Sequence, residues 1–266
     1  MQLIDIGINL AHSSYNRDRR AVIDRARAAG VCRMIVTGSD LAGIARAVEL
    51  VREYPDLLSA TAGIHPHHAA EHDAAASDAL RTWLKRPEVS AAGECGLDYC
   101  RNYAPRDLQL ASFRQQLEIA AELGRPVFLH QRDAHEDFIG LVREFRSRLP
   151  RAVAHCFTGT KEEARACLDH DLHIGITGWI NDERRGAHLR EVVRFVPANR
   201  LMLETDGPYL LPRDLKPKPA SRRNEPMYLP HILATVAAAR GEAPEELAAS
   251  TTRTAREFFS LAGPTC

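Results

Sequence analysis

Four side chains able to hold a divalent ion each follow a short apolar run: Glu94 after SAAG, His130 after PVFL, His155 after AVA and Asp206 after RLMLET. Two imidazoles and two carboxylates make a mixed nitrogen and oxygen set suited to Zn, Mn or Mg. An ion so held polarises an acyl or phosphoryl oxygen and generates hydroxide near neutral pH. Taken singly, none of the four persuades. A histidine at a strand end is more often a hydrogen-bonded structural residue, and a carboxylate in a βα loop often caps the following helix. Four of them on strand ends of one polarity outweigh those readings.

Three further residues belong to the same face. His65, in GIHPH, is expected either to hold a phosphate or catalytic water or to stiffen the loop beside Pro66. Glu204 lies two residues before Asp206, so the pleat turns both to one side. It is expected to orient a ligand or water, or to pair with an arginine. Asp98 shares the parity of Glu94, but a cap or turn accounts for it nearly as well. Cys95 and Cys156 directly follow proposed ligands, and alternation sends them to the opposite face, into the core. His67, His68, His72, His170, His173 and His188 have no consistent strand-end placement and read as surface or loop residues.

Such side chains meet only if the strands that carry them are parallel neighbours. LIDIGIN, VCRMIVTG, LLSATAGIH, VSAAGECGLD, PVFLH, AVAHCF, LHIGITG and RLMLETD read as eight strands. Helical segments lie between them at Arg17–Ala29, Leu41–Tyr54, Ser77–Lys85, Asp107–Leu123, His135–Arg148, Lys161–His170 and Gly186–Phe195. Strands separated by helices pair in parallel through right-handed crossovers. Eight such units in 266 residues fit an α/β fold of the (β/α)8 TIM-barrel type, with the active site at the C-terminal strand ends. No G-x-G-x-x-G follows the first strand, which removes the main support for an open dinucleotide-binding sheet. Two helices, Leu229–Arg240 and Pro244–Phe259, complete a single domain over 1–266.

Thirty-five basic residues balance thirty-five acidic ones, so overall charge announces no polyanionic ligand. The start is too polar after Leu10 for a secretory signal, and no apolar run is long enough to span a bilayer. Cys32, Cys95, Cys100, Cys156, Cys167 and Cys266 form no C-x-x-C pair, which suits reduced thiols and a cytoplasmic address. Local charge says more. The Pro-rich loop Pro208–Pro226 carries Arg213, Lys216, Lys218, Arg222 and Arg223 against Asp214 and Glu225. A solvated charged loop is the plainer account of that composition. Because it follows the eighth strand, though, it should overhang the metal mouth, with Arg132, Arg184 and Arg185 after strands five and seven. Cations around a metal suit a substrate that carries phosphates.

GIHPH, GECGLD, PVFLHQRDAHEDF, AHCFTGT, IGITGW and ETDGPYLLPRDL together resemble, in order and spacing, the TatD family of metal-dependent deoxyribonucleases. The likeness runs from LIDIGINL to the final helix, and KPKPASRRNEP followed by LPHI is closest to the family's bacterial branch. The resemblance implies a TIM barrel that hydrolyses phosphodiesters with Mg²⁺, acting as a 3′-to-5′ exonuclease on single-stranded DNA, and on RNA as an extension, with a part in DNA repair. It implies metal binding by Glu94, His130 and His155, with Asp206 as ligand or general base, and active-site roles for His65 and Glu204. A monomer is expected. One departure matters: many members carry a His-x-His pair at the end of strand one, where this chain has Gly7 and Asn9. One firm ion is therefore expected, with the second site weakened.

The ligands alone leave two rival readings open. A metal-barrel amide or ester hydrolase, such as a deacylase of aminoacyl-tRNA, would use the same ions. A non-catalytic nucleic-acid-binding module would bind without metal-stimulated turnover.

Overall fold

The computed structural model describes residues 1–261. The elements, in chain order, are β1 (Leu3–Ile8), α1 (Arg19–Ala28), β2 (Val31–Val36), α2 (Leu41–Glu53), β3 (Leu58–Ala62) and α3 (Ala74–Leu84). They continue with β4 (Val89–Asp98), α4 (Arg106–Glu122), β5 (Val127–Arg132), α5 (His135–Phe145), β6 (Ala152–Ala154) and α6 (Lys161–Asp169). The last are β7 (Leu172–Ile176), α7 (Leu189–Phe195), β8 (Leu201–Leu203), α8 (Leu229–Arg240) and α9 (Pro244–Phe259). The strands make one sheet in the order β1-β2-β3-β4-β5-β6-β7-β8, the topology of a (β/α)8 barrel.

Several helices begin where a side chain can take the first orphaned N–H groups. Asp40 Oδ1 accepts the Gly43 N–H at 2.8 Å ahead of α2, and Asp73 Oδ1 accepts the Ala76 N–H at 2.8 Å ahead of α3. The Asp73 cap starts α3 three residues before the expected Ser77. Helix α7 is shorter than expected because Asp182 turns residues 182–188: its backbone carbonyl accepts the N–H groups of Arg185 and Gly186.

The described residues fall into two compact units. One contains Met1–Val36, Cys156–Arg165 and the chain from Ile174 onward. Within it β1 pairs with β2 and β7 with β8, all parallel. Beyond β8 the Asp206 N–H donates to Gly7 O and the Asn9 N–H to Gly207 O, each at 2.8 Å, so the last strand's exit is tied to β1. All six residues of β1 are buried, as expected of a parallel strand covered on both faces. Ile6, Ile8, Met202, Leu233, Val236 and Phe258 fill the core here.

The other unit contains Thr37–His155 and Ala166–His173. Strands β3 to β6 pair in sequence, all parallel. Phe113 of α4 stacks on Phe138 of α5 with ring centroids 5.7 Å apart, and Phe128 and Leu129 of β5 are fully buried.

No described helix is long and apolar enough to cross a membrane. Cys95, Cys100, Cys156 and Cys167 are reduced thiols, as expected. Cys266 lies outside the described residues. Cys95 is buried as expected, whereas Cys156 is half-buried with φ 45, because β6 stops at Ala154 and strand alternation no longer applies.

Candidate metal centre

Three imidazoles converge on one carboxylate oxygen. Glu94 Oε1 accepts from His155 Nε2 at 2.8 Å and from His130 Nδ1 at 2.9 Å, with His65 Nε2 at 3.3 Å. His65, Glu94 and His130 each offer a ligand atom within 4.8 Å of the others, the one such group of metal-type donors found among the described residues. His65, expected as a substrate or water contact, therefore stands with the donors. His130 Nε2 is buried without a hydrogen bond, although Asp98 Oδ2 stands 3.4 Å away. A crowded mixed donor set with an orphaned buried ring nitrogen fits a divalent cation.

The protonation states of His65 and Glu94 agree, while that of His130 runs the other way. Burial pushes the His65 imidazole down to about 4, although the Glu94 charge opposes it, so the ring is neutral as a ligand must be. Burial alone would push the Glu94 carboxyl up. The His65 and His155 charges and the hydrogen bonds from His130 and His155 overcome it and hold the group well below the usual range. For His130, burial works against the charged form, and the neighbouring Asp98 and Glu94 carboxylates outweigh it, so its pKa rises.

Two devices position these groups. Glu94 sits inside a ten-residue β4 rather than at its end, between glycines with φ of 127 and 146. A Cβ on Gly93 would run into the Phe128 carbonyl and one on Gly96 into the His130 carbonyl, so the motif GECG is what lets β4 approach β5 closely. Helix α4 supplies the second device through two buried glutamines seven residues apart, which place them on one helical face. Gln116 accepts the Ile64 N–H at 2.8 Å and donates to Ile64 O at 2.9 Å, clamping the chain beside His65. Gln109 accepts the Asp98 N–H at 2.8 Å and donates to Asp98 O and Ala104 O at 3.2 and 2.8 Å.

Asp98 and His67 are more involved than their sequence positions suggest. Asp98 is buried and accepts His67 Nε2 at 2.8 Å and the Arg101 N–H at 2.8 Å. The His67 ring packs edge-on to His65 with centroids 4.2 Å apart. It reaches that position because the 3-10 turn Pro66–Glu71 bends the chain back just after His65. The surface reading fails for two other histidines. His72 bonds Ser112 and Ser77 at 2.8 and 2.9 Å, and the buried His173 donates to Ala152 O at 3.3 Å.

The unit that holds β8 carries the remaining candidates. Strand β8 ends at Leu203, so Glu204 and Asp206 do not share a strand face as the period-two argument supposed. Glu204 is fully buried and accepts the Cys156 N–H at 2.5 Å. Asp206 sits in a left-handed turn at φ 54, and its Oδ1 accepts the Asn9 side-chain amide at 3.0 Å. Asp5 is wholly buried: Oδ1 takes the N–H groups of Thr205 and Gly7, and Oδ2 takes the Thr205 hydroxyl. Burial pushes its pKa up to about 7 against those three donors. With both oxygens engaged by Thr205 and Gly7, Asp5 is committed to the turn after β8.

Four of the eight predicted cations come together. Arg185, Arg213, Lys218 and Arg222 line a cavity of about 490 Å³ with Leu210, Pro212 and Ser221. Asp182 anchors the rim, 2.9 Å from Arg185 Nε and 3.7 Å from Arg213, and the Arg185 guanidinium lies 4.4 Å from the Trp179 ring. Arg184 and Lys216 are exposed, and Arg132 stands 3.7 Å from Asp133. Arg223 is engaged within the protein. Its guanidinium bonds Asp18 at 2.6 and 2.8 Å and Glu225 at 2.7 Å, while Arg25 takes the other Glu225 oxygen. It braces the loop and has little left for a phosphate.

Residues 4–260 match the profile of the TatD related DNase family. A relative from Salmonella typhimurium, named a 3′-5′ ssDNA/RNA exonuclease TatD, is 51% identical over 259 residues, covering 97% of this chain and 99% of that one. One of the same name from Erwinia tasmaniensis is 50% identical, covering 97% and 100%. Among solved structures, a TatD homologue from Escherichia coli superposes with a TM-score of 0.89 at 27% identity, covering 98% of both chains. A TatD family hydrolase from Entamoeba histolytica gives 0.89 at 26%, covering 97% and 98%.

Proposed function

The chain belongs to the TatD related DNase family, and from that premise we propose that it is a metal-dependent 3′-to-5′ exonuclease of single-stranded DNA and RNA. The observation that carries this is the convergence of His65, His130 and His155 on Glu94, with His130 Nε2 orphaned. On this reading Glu94, His130, His155 and His65 hold the ion, which supplies a Lewis acid and an activated water when bound. Mg²⁺ is the proposed ion; two or three imidazoles would equally accept Mn²⁺ or Zn²⁺.

The protein's own groups then have separate tasks. Asp98 holds the His67 ring through Nε2 and stands 3.4 Å from His130 Nε2, beside the proposed ion. Asp206 takes the proton of the attacking water, and the amide of Asn9 orients its carboxylate. Glu204 fixes the turn at Cys156 through the backbone. Arg185, Arg213, Lys218 and Arg222 bind the strand's phosphates without reading its sequence. The protein works as a monomer of one domain in the cytoplasm, trimming 3′ ends in DNA repair.

End-labelled single strands blocked at either the 3′ or the 5′ end, incubated with Mg²⁺, Mn²⁺ or Zn²⁺, test the reading, with an aminoacyl-tRNA alongside. Nucleotide release from the open 3′ end, lost with chelator, is expected. Deacylation without nucleotide release, or strand binding without metal-stimulated turnover, would overturn it.

A further inference from the structure

Tyr103 is 69% exposed, more than any other large hydrophobic side chain among the described residues. It rides on the loop between β4 and α4, and that loop is firmly held. Asp98 Oδ1 takes the Arg101 N–H, Asp98 O takes the Asn102 N–H at 3.2 Å, and Gln109 bonds Asp98 on one side of Tyr103 and Ala104 on the other. Asn102 stands at φ 51 and Ala104 is buried, so the backbone on both sides of the ring has a fixed course. The ring meets the protein edge-on at His67, with centroids 4.7 Å apart, and most of it remains in solvent. His67 in turn lies against His65 and donates to Asp98, so the exposed ring is two side chains from the proposed ion.

An exposed tyrosine with so little packing contributes little to folding, and a pinned loop keeps it from collapsing onto the surface. An aromatic face presented at low conformational cost is what an unpaired nucleobase stacks on, and stacking tolerates any base because every base has a π-face. We propose that Tyr103 is the stacking platform for the base at the cleaved end of a single-stranded substrate. The proposal rests on the nuclease reading above. The ring fixes the terminal nucleotide beside the proposed ion, while phosphate contacts elsewhere supply the salt-dependent part of binding.

The test compares wild type, Tyr103→Ala and Tyr103→Trp on two single-stranded oligonucleotides, one with a base and one with an abasic residue at the 3′ end. Wild type is expected to lose about tenfold in kcat/KM on the abasic strand, the scale of one stacked base. Tyr103→Ala should be about tenfold below wild type on the normal strand and equal to it on the abasic one. Tyr103→Trp should keep the preference for a base. The slope of log affinity against log salt should be the same in all three, because the ring neutralises no phosphate. Tyr103→Ala losing as much on the abasic strand as on the normal one would mean that the ring only steadies His67, and would overturn the proposal. So would a Tyr103→Ala enzyme that keeps the wild-type preference for a base. If wild type releases nucleotides from neither strand with any metal, the nuclease reading falls, and the stacking role falls with it.

Discussion

Replacing Glu94 with glutamine removes one charge and almost no volume, and the geometry says what that does with and without metal. Without metal, Oε1 receives charge-assisted bonds from His130 at 2.9 Å and His155 at 2.8 Å. A neutral amide oxygen in its place makes bonds about half as strong, a loss of about 1 kcal/mol each and about 2 kcal/mol in all. Unfolding entropy scales with length, about 0.56 kcal/mol/K for a chain of 266 residues. The variant should therefore melt about 4 °C below wild type in chelator. Added metal separates the two proteins further. An ion at a hundred times its dissociation constant stabilises the fold by about 2.7 kcal/mol, which is about 5 °C here. Wild type should show that rise with at least one of Mg²⁺, Mn²⁺ or Zn²⁺, and Glu94→Gln should show none. Thermal melts followed by circular dichroism, with and without EDTA, measure both quantities. An equal metal-induced rise in the two proteins would refute Glu94 as a ligand. No rise in wild type with any of the three ions would refute the site.

Asp206→Asn should abolish nucleotide release while binding of a fluorescent single strand changes by less than about twofold; full activity in a release assay would remove Asp206 from the proton path. Asp18 should contribute acid-sensitive stability: chiefly the Arg223 hydrogen bonds hold its carboxyl at about 2, below the ordinary 3.8. Because the folded pKa is the lower one, that stability is present above pH 4 and lost as pH falls toward 2. Half-exposure screens it to about 1 kcal/mol, so the gap in urea stability between wild type and Asp18→Asn should be about that at pH 7 and about half as large at pH 3. Gln116→Leu keeps the volume but strands the Ile64 N–H and carbonyl in a buried site, which should cost about 2 to 5 kcal/mol; a melt within 1 °C or so of wild type would show that the clamp is dispensable.

The side chains that β4, β5 and β6 bring to the site were legible because each follows an apolar run and is a polar residue that nothing local explains, although Glu94 and His130 lie inside their strands. The chain there has little freedom once parallel pairing is assumed, and Glu94, His130 and His155 do meet. His67 was not legible, since its place depends on a 3-10 turn that bends the chain back after Pro66. Gln109 and Gln116 left a readable signal, two amides at helical spacing on a face that should be apolar. A buried polar side chain on a core face must bond something, and here it bonds the backbone of the loops that carry the site. Counting cations misled at Arg223 because Asp18 neutralises it from 205 residues away. No composition of the loop records such a partner.

The first strand shows how far a missing motif can be read. Gly7 and Asn9 stand in place of a His-x-His pair, and Asp5 is engaged by Thr205 and Gly7. What the motif could not signal is that the positions were put to other use. Asp5 gathers the Thr205 N–H and hydroxyl, and Asn9 gives its amide to Asp206, so both brace the turn in which Asp206 adopts φ 54. A side chain held by a donor and a strained backbone is positioned more tightly than one on a free loop. Asn9 thus fixes the carboxylate assigned to the proton, and Asn9→His should loosen Asp206 and lower nucleotide release, which a release assay measures.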